Sequence, residues 1–515
     1  EAMTYDLFQR LGMPAPDTRF VTLPINERQS GHYLDIENVD RDFLRAHLPG
    51  DDDGNLYRGK DGADLEYEGP DPDAYRPYYL KKTNEDADDY TDVMSLTHAL
   101  TYASTETLIE EGQQVADLRQ WLQWFAVQAV LDNHEGALWV GKGDDYFLYH
   151  RPSDDRFILI SWDHDTLFLN ADHTIWEPEW YAKAIVKRLL RHPELSRWYY
   201  QGVVTLIEDG GPFALSEMAP RIDALPDVAV SEGEKQDLKR YVEARIAYLW
   251  AHQIPDVRLS IETNGGANII TTDDHITLEG RCSPIRDVRI NGSTEGVEYI
   301  DPMRWRYEAT LWTRDNVFEV SDGEDTYTIT VFRDLFHGGE LTEDTTLVTS
   351  ALPYAIEQDI RLSGAITLTI EPGVTLHFNP DRVIRVEDGA RLLAEGTASQ
   401  PIIFTRREHG YWGGILLYNT QADNRIQHAV LEHIHEVIVN PRSHGVTAYH
   451  SHLTLADSVL RHMRRSNAVT ADYDSTLYLL RNDIYDIGSD AVHATGGYAY
   501  IQGNTIHDSV YDPGF

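Results

Sequence analysis

Cysteine is almost absent: Cys282 is the only one in 515 residues. A single thiol excludes an intramolecular disulfide and any cysteine-built zinc or iron–sulfur centre. Basic side chains are scarce, 44 against 85 acidic, for a formal net charge of −41. That balance argues against nucleic acid as a partner, since phosphate binding needs a basic face, and against docking on an anionic membrane. No apolar run reaches the roughly 20 residues of a membrane helix, so no membrane insertion is expected. No segment has the layout of a signal peptide, and a chain opening on Glu1 is expected to be a processed or cropped product. What abounds is carboxylate. Surplus acid keeps a protein soluble and offers oxygen ligands to hard cations, which suits a secreted or cell-surface protein in a calcium-containing medium.

At about 100–200 residues per domain the length implies three domains, and the chain has three textures. Residues 1–252 read as mixed α and β. Met3–Leu11 has apolar residues at helical spacing and is ended by Gly12, Pro14 and Pro16. Arg19–Ile25 and His32–Glu37 alternate as strands around a turn through Asn26–Gly31. Leu118–Leu131 is apolar nearly all round and predicts a buried helix, with Trp121, Trp124 and Phe125 in the core. Two short strands follow, Tyr146–Tyr149 and Phe157–Ile160, turning at Pro152–Asp155. Helical patterns return over Ile175–Trp198 and Lys235–Trp250.

Residues 253–340 carry short alternating runs punctuated by Asn264-Gly265-Gly266, Asn291-Gly292 and Asp322-Gly323, which predict an Ig-like β-sandwich. Cys282 reads there as a packed residue. Residues 341–515 are repetitive: Leu453–Leu460 recurs as Leu477–Ile484 and Ala499–Ile506, with Ser458, Asn482 and Asn504 at one shared place. Such a period with strand-type alternation and Asn/Gly corners predicts a right-handed parallel β-helix that continues beyond Phe515. Tyr411-Trp412-Gly413-Gly414 is expected to pack and turn a coil, and His428, His433, His435, His444, His450 and His452 to sit at its surface or corners.

Three segments of the first texture carry a resemblance. They are Gly31-His-Tyr-Leu-Asp-Ile-Glu37 with Val39-Asp40 and Asp42-Phe43-Leu44; Gly54-Asn-Leu-Tyr-Arg58; and Asp132-Asn-His-Glu135 leading through Asp145-Tyr-Phe-Leu-Tyr149 to Trp162-Asp-His-Asp165. Their order and spacing resemble the CotH family of spore-coat-type secreted kinases. The resemblance implies an α+β atypical protein-kinase-like fold that uses Mg-ATP, or Mn in its place, to phosphorylate Ser or Thr of extracellular or surface proteins. On it, Asp163 looks like the metal aspartate, with Asp165 and Asp145 sharing the ion. Glu135 falls at the catalytic-loop position, where many members carry Asp, and Asn133 stands at the matching place before it. Glu37 resembles the strand acid that tethers a phosphate-contacting lysine, for which Lys60, Lys81 and Lys82 are candidates. Arg58 stands where lysine is frequent and can grip phosphate bidentately. Family members carry a basic, glycine-containing segment in the opening strands of the small lobe; these strands are expected to be absent before Glu1 and this lobe to be incomplete.

Other readings stand beside this one. Paired acids after a strand also serve as turn residues or a structural calcium site, so a non-catalytic surface scaffold is the chief alternative. Asp51–Asp53 lacks the bidentate glutamate of a calcium loop and reads as solvated. The segment Leu368–Leu376 resembles bacterial cell-surface and polysaccharide-active β-helices, which makes polysaccharide a candidate partner of the solenoid. A lyase or hydrolase activity there would rest on fold analogy alone.

Overall fold

A computed structural model of the chain describes residues 1–25, 29–133, 138, 143–176, 184–439 and 441–509. The chain divides into two compact units. One comprises Glu1–Gly266, Thr277–Ala309 and Phe318–Thr328; the other comprises Ala267–Ile276, Thr310–Val317 and Ile329–Phe515.

In the first unit α1 (Ala2–Arg10) leads into a hairpin of β1 (Thr18–Ile25) and β2 (Gln29–Ile36), then α2 (Arg41–His47). A four-stranded sheet follows, in the order β4-β3-β5-β6, from β3 (Asn55–Gly59), β4 (Tyr79–Lys81), β5 (Tyr146–Arg151) and β6 (Arg156–Ser161). Helices α3 (Thr91–Tyr102), α4 (Leu108–Val115) and α5 (Leu118–Val130) separate β4 from β5, and α6 (Ala184–Arg191), α7 (Pro193–Ile207), α8 (Leu215–Asp223) and α9 (Glu232–Tyr248) follow β6.

Strand alternation splits this sheet into two apolar faces. Tyr57, Tyr146, Leu148, Phe157 and Leu159 join the main core with α5, whose Trp121, Trp124 and Phe125 are fully buried as the sequence predicts. Leu56, Phe147, Tyr149, Ile158 and Ile160 face the other way, onto Val39, Phe43 and Leu44 at α2. Asp40 caps α2, its carboxylate accepting from the N–H groups of Asp42 and Phe43.

Eight strands between residues 260 and 333, β7 to β14, form two four-stranded sheets, their residues divided between the two units. The strands Ile269–Thr271 and Val297–Asp301 escape the sequence pattern. Within the first unit Cys282 is buried, as expected, and accepts a hydrogen bond from Arg197 of α7 (3.3 Å). Arg197 also donates to the carbonyls of Ser283 (3.0 Å), Pro302 (2.7 Å) and Arg286. These bonds satisfy a buried guanidinium that would otherwise be costly.

In the second unit the chain winds a parallel β-solenoid over residues 339–507, each coil adding one strand to each of three seven-stranded sheets. Identical registers stack Ile360, Ile384, Ile415, Val446 and Val469 on one sheet, and Leu376, Phe404, Leu431, Leu460 and Ile484 on another. Trp412 is buried against Phe378 (ring centroids 4.1 Å apart). Gly414 has φ +82°, and a Cβ there would lie 1.9 Å from the His444 carbonyl, so this corner requires glycine. His428, His433 and His450 occupy left-handed corners, as expected of them.

The polar place shared by the repeats is an inward ladder. Asn482 accepts from the Ser458 N–H (3.0 Å) and donates to the Leu455 carbonyl (2.9 Å), while Asn504 accepts from the Asn482 N–H (2.8 Å). Asn482 is 2% exposed. Its replacement by Leu strands a buried donor and a buried acceptor, so Asn482→Leu is expected to cost the solenoid about 2–4 kcal/mol. Urea unfolding followed by far-UV circular dichroism checks this; an unchanged midpoint contradicts the ladder's role.

Candidate functional site

The site begins where α5 ends. Asp132 takes a left-handed conformation (φ 53°), its N–H bonds the Ala129 carbonyl (3.1 Å), and the Asn133 N–H bonds the Gln128 carbonyl (3.0 Å). This is a Schellman stop with aspartate in the position glycine usually fills. Buried Arg245 of α9 donates to the carbonyls of Ala129 (2.8 Å) and Val130 (3.3 Å), placing a cation at the negative end of α5. The Asp132 carboxylate accepts from the Asn170 N–H (2.7 Å) and meets His173 Nδ1 at 2.7 Å, tying the segment after β6 to the same exit.

A second exit lies beside the first. Beyond Ser161 the chain passes Trp162, Asp163 (φ 52°), His164 and Asp165. His164 is 2% exposed, its Nε2 lies 2.6 Å from Ser161 Oγ, and its Nδ1 lies 3.3 Å from Asn133 Nδ2. Asn133 Nδ2 also donates to Gln128 Oε1 (2.7 Å), and Gln128 Nε2 donates to Ser161 Oγ (3.3 Å). An amide N–H pointing at Nδ1 assigns the imidazole proton to Nε2, which donates to Ser161. Tyr5 and Phe8 of α1 pack on the ring at 5.3 and 5.9 Å between centroids. Burial drives the His164 pKa down to about 3, so the ring is neutral.

Acidic side chains gather on this frame. Tyr146 pairs with Ser161 in antiparallel register, so Asp144 and Asp145, just before β5, lie alongside Trp162 and Asp163, just after β6. Asp163 opens to solvent, and its N–H donates to the Tyr5 hydroxyl (3.2 Å). Partial desolvation first, then the charges of Asp165, Glu1 and Asp144, raise the Asp163 carboxyl above its ordinary value, with Arg58 opposing them. The Tyr5 hydroxyl is pushed up by burial and by the carboxylates of Glu1, Asp163 and Asp145. Asp145, Asp163, Asp165 and Arg58 thus converge, Asn133 anchors the adjoining turn, and Glu135 lies outside the described residues. Among the described residues the triple with donor atoms within 4.8 Å of one another is Asp17, Glu37 and His47.

The expected phosphate cations are scattered. Arg58 shares a rung with Phe147 on the α2 face of the sheet, within electrostatic reach of Asp163. Lys81 faces the opposite way: it is 5% exposed, donates to the Asp89 carbonyl (2.6 Å) and the Tyr57 hydroxyl (3.1 Å), and lies over the Tyr57 ring. Lys60 is exposed just past β3, and Lys82 lines a cavity with Arg41, Asn84 and Glu85. Glu37 meets His47 Nε2 at 2.8 Å and accepts from the Asp17 N–H (3.0 Å); none of the three lysines pairs with it.

The family comparison decides the identity of this frame. Residues 1–250 match the family described as CotH kinase protein. They form a CotH-family domain. Residues 339–436 match a pectate-lyase like beta helix domain, in agreement with the solenoid. The inner spore coat protein H of Bacillus subtilis (strain 168) is 24% identical to this chain over 277 aligned residues, which cover 48% of this chain and 73% of that protein. Among the described residues no helix is long and apolar enough to cross a membrane. In the CotH domain the acids were visible in sequence as motif residues. Their supports Tyr5, Gln128, Ser161, His164 and Arg245 were not, and the one local signal was a histidine between two motif aspartates.

A histidine held neutral in the fold and protonated when unfolded makes stability depend on pH. The unfolded state binds the extra proton between about pH 6.5 and the folded value near 3, so stability falls with acidification across that window. Its share is up to about 1.4 kcal/mol per pH unit. Denaturant unfolding of wild type and His164→Gln over this range is expected to show a shallower acid loss in the variant; parallel curves contradict a buried neutral ring.

Proposed function

We propose that the chain is a CotH-type protein kinase that transfers the γ-phosphate of ATP to a Ser or Thr hydroxyl of an extracellular or surface protein. The observation that carries this reading is the convergence of Asp144, Asp145, Asp163 and Asp165 with Arg58 at the paired ends of β5 and β6, beside the α5 exit. Phosphoryl transfer is chiefly positioning and charge neutralisation, which calls for carboxylates on a metal, a cation on the phosphate and a group that orients the acceptor. The residues fit Mg-ATP: a carboxylate whose charge is disfavoured by its acidic neighbours is one that a divalent cation relieves.

Asp163 with Asp145 and Asp165 would hold Mg, or Mn, and the bound ion would neutralise charge on the phosphate oxygens. Arg58 is the phosphate grip on the α2 face, and exposed Lys60 and half-buried Lys82 are further contacts for a nucleotide approaching from solvent. Asn133, fixed by Gln128 and His164, and Glu135, two residues on, orient the acceptor hydroxyl and take its proton. The B. subtilis relative is named for the spore coat; we infer an extracytoplasmic, surface setting for this chain too, with the solenoid as a display or polysaccharide-contacting module.

One observation favours the second reading, a non-catalytic scaffold whose acids hold structural calcium: Lys81 and Glu37, both expected at the phosphate, are bonded elsewhere. Transfer of label from γ-³²P-ATP with Mg separates the two. Asp163→Asn, which tolerates the same left-handed backbone, is expected to lower the rate at least about 100-fold. Equal incorporation by both proteins, or none by wild type with calcium bound and ATP not bound in calorimetry, overturns the kinase reading.

A further inference from the structure

We propose that Asp17, Glu37 and His47 form a second, independent site for a borderline divalent cation of the Zn²⁺ and Co²⁺ class. Three elements supply its donors: the turn before β1, the residue after β2, and the end of α2. Their ligand atoms all lie within 4.8 Å of one another. The imidazole sets this group apart from an acidic patch. One nitrogen and two carboxylate donors suit Zn²⁺ or Co²⁺, whereas Mg²⁺ and Ca²⁺ prefer oxygen alone.

The donors are oriented from behind. Gln9 Nε2 donates to Asp17 Oδ1 (2.9 Å), and the Asp17 N–H donates to Glu37 Oε2 (3.0 Å). The Phe43 ring stacks on His47 at 4.4 Å, limiting its rotation. Outer contacts of this kind fix the geometry of ligating groups. In front lies a cavity of about 520 Å³ that Asp17 and Glu37 line together with Thr18, Arg19 and Asp35. Three protein ligands facing open space leave positions for water or an exogenous ligand, the layout of an open rather than a closed zinc site. In the apo form His47 Nε2 rests on Glu37 Oε2 at 2.8 Å. Metal entry replaces that contact, the neutral imidazole offering Nε2 as a ligand with its proton on Nδ1.

The site owes nothing to the kinase reading, since it uses neither Asp163 nor nucleotide. The test is titration of the full chain with Co²⁺, read by visible absorption, and with Zn²⁺ by calorimetry, with Mg²⁺ as control. With 22 histidines in the chain, the reading is a difference between variants. His47→Gln, whose amide can still donate to Glu37, and Asp17→Asn, which still accepts from Gln9, are each expected to lose one equivalent of binding or weaken it at least about tenfold. Asp163→Asn is expected to keep the equivalent that these two variants lose. Wild-type stoichiometry and affinity in both site variants, with native circular dichroism, overturn the proposal, as does preference for Mg²⁺ over Co²⁺.

Discussion

Gln128, Asn133, Ser161 and His164 are polar, buried and bonded to one another, and the site depends on them. They join the exit of a helix to the exit of a strand. Each member left unpaired in the apolar surroundings of Tyr5, Phe8 and α5 would cost about 1–3 kcal/mol, so the four are satisfied together or not at all. That all-or-none character makes the relative position of the α5 turn and the β6 turn definite. Arg245 on the α5 carbonyls and Asp132 on the segment after β6 add two further ties at the same place.

The electrostatics of the site follow from that frame. Because β5 and β6 are antiparallel, acids before one strand and after the other are brought side by side, and α1 adds Glu1. Their mutual repulsion costs stability, and the frame holds them regardless. Like charges are concentrated at one edge with Arg58 in electrostatic reach, and the proposed cation and phosphate binding rests on that arrangement. Fold alone would not give that conclusion.

Elements with a long, clear period were legible in sequence: α1, α5, the β5–β6 hairpin and the solenoid repeats, down to the place of Ser458, Asn482 and Asn504. Helices α2, α3, α4 and α8 were not picked out, and Ile269–Thr271 is too short to show alternation. In the site, the motif residues Asp145 and Asp163 lie beside strand ends, one just before β5 and the other two residues past β6. Partners chosen through space were hidden. Glu37 carries the acid of the motif, yet α2 folds back to give it His47 in place of a lysine, and Lys81 alternates to the face opposite Arg58. Sequence spacing contains the alternation of a strand but not which strand comes to lie beside it.

The most direct measurement is the ionisation of the buried imidazole itself. ¹⁵N-histidine NMR of the full chain, with His164→Gln to assign the signal, reports tautomer and charge together. The expected result is a neutral ring protonated on Nε2 that stays neutral down to about pH 4, consistent with its depressed value of about 3. A His164 signal that titrates near the ordinary histidine value of about 6.5, or that shows the proton on Nδ1, would mean that the two exits are not joined as described.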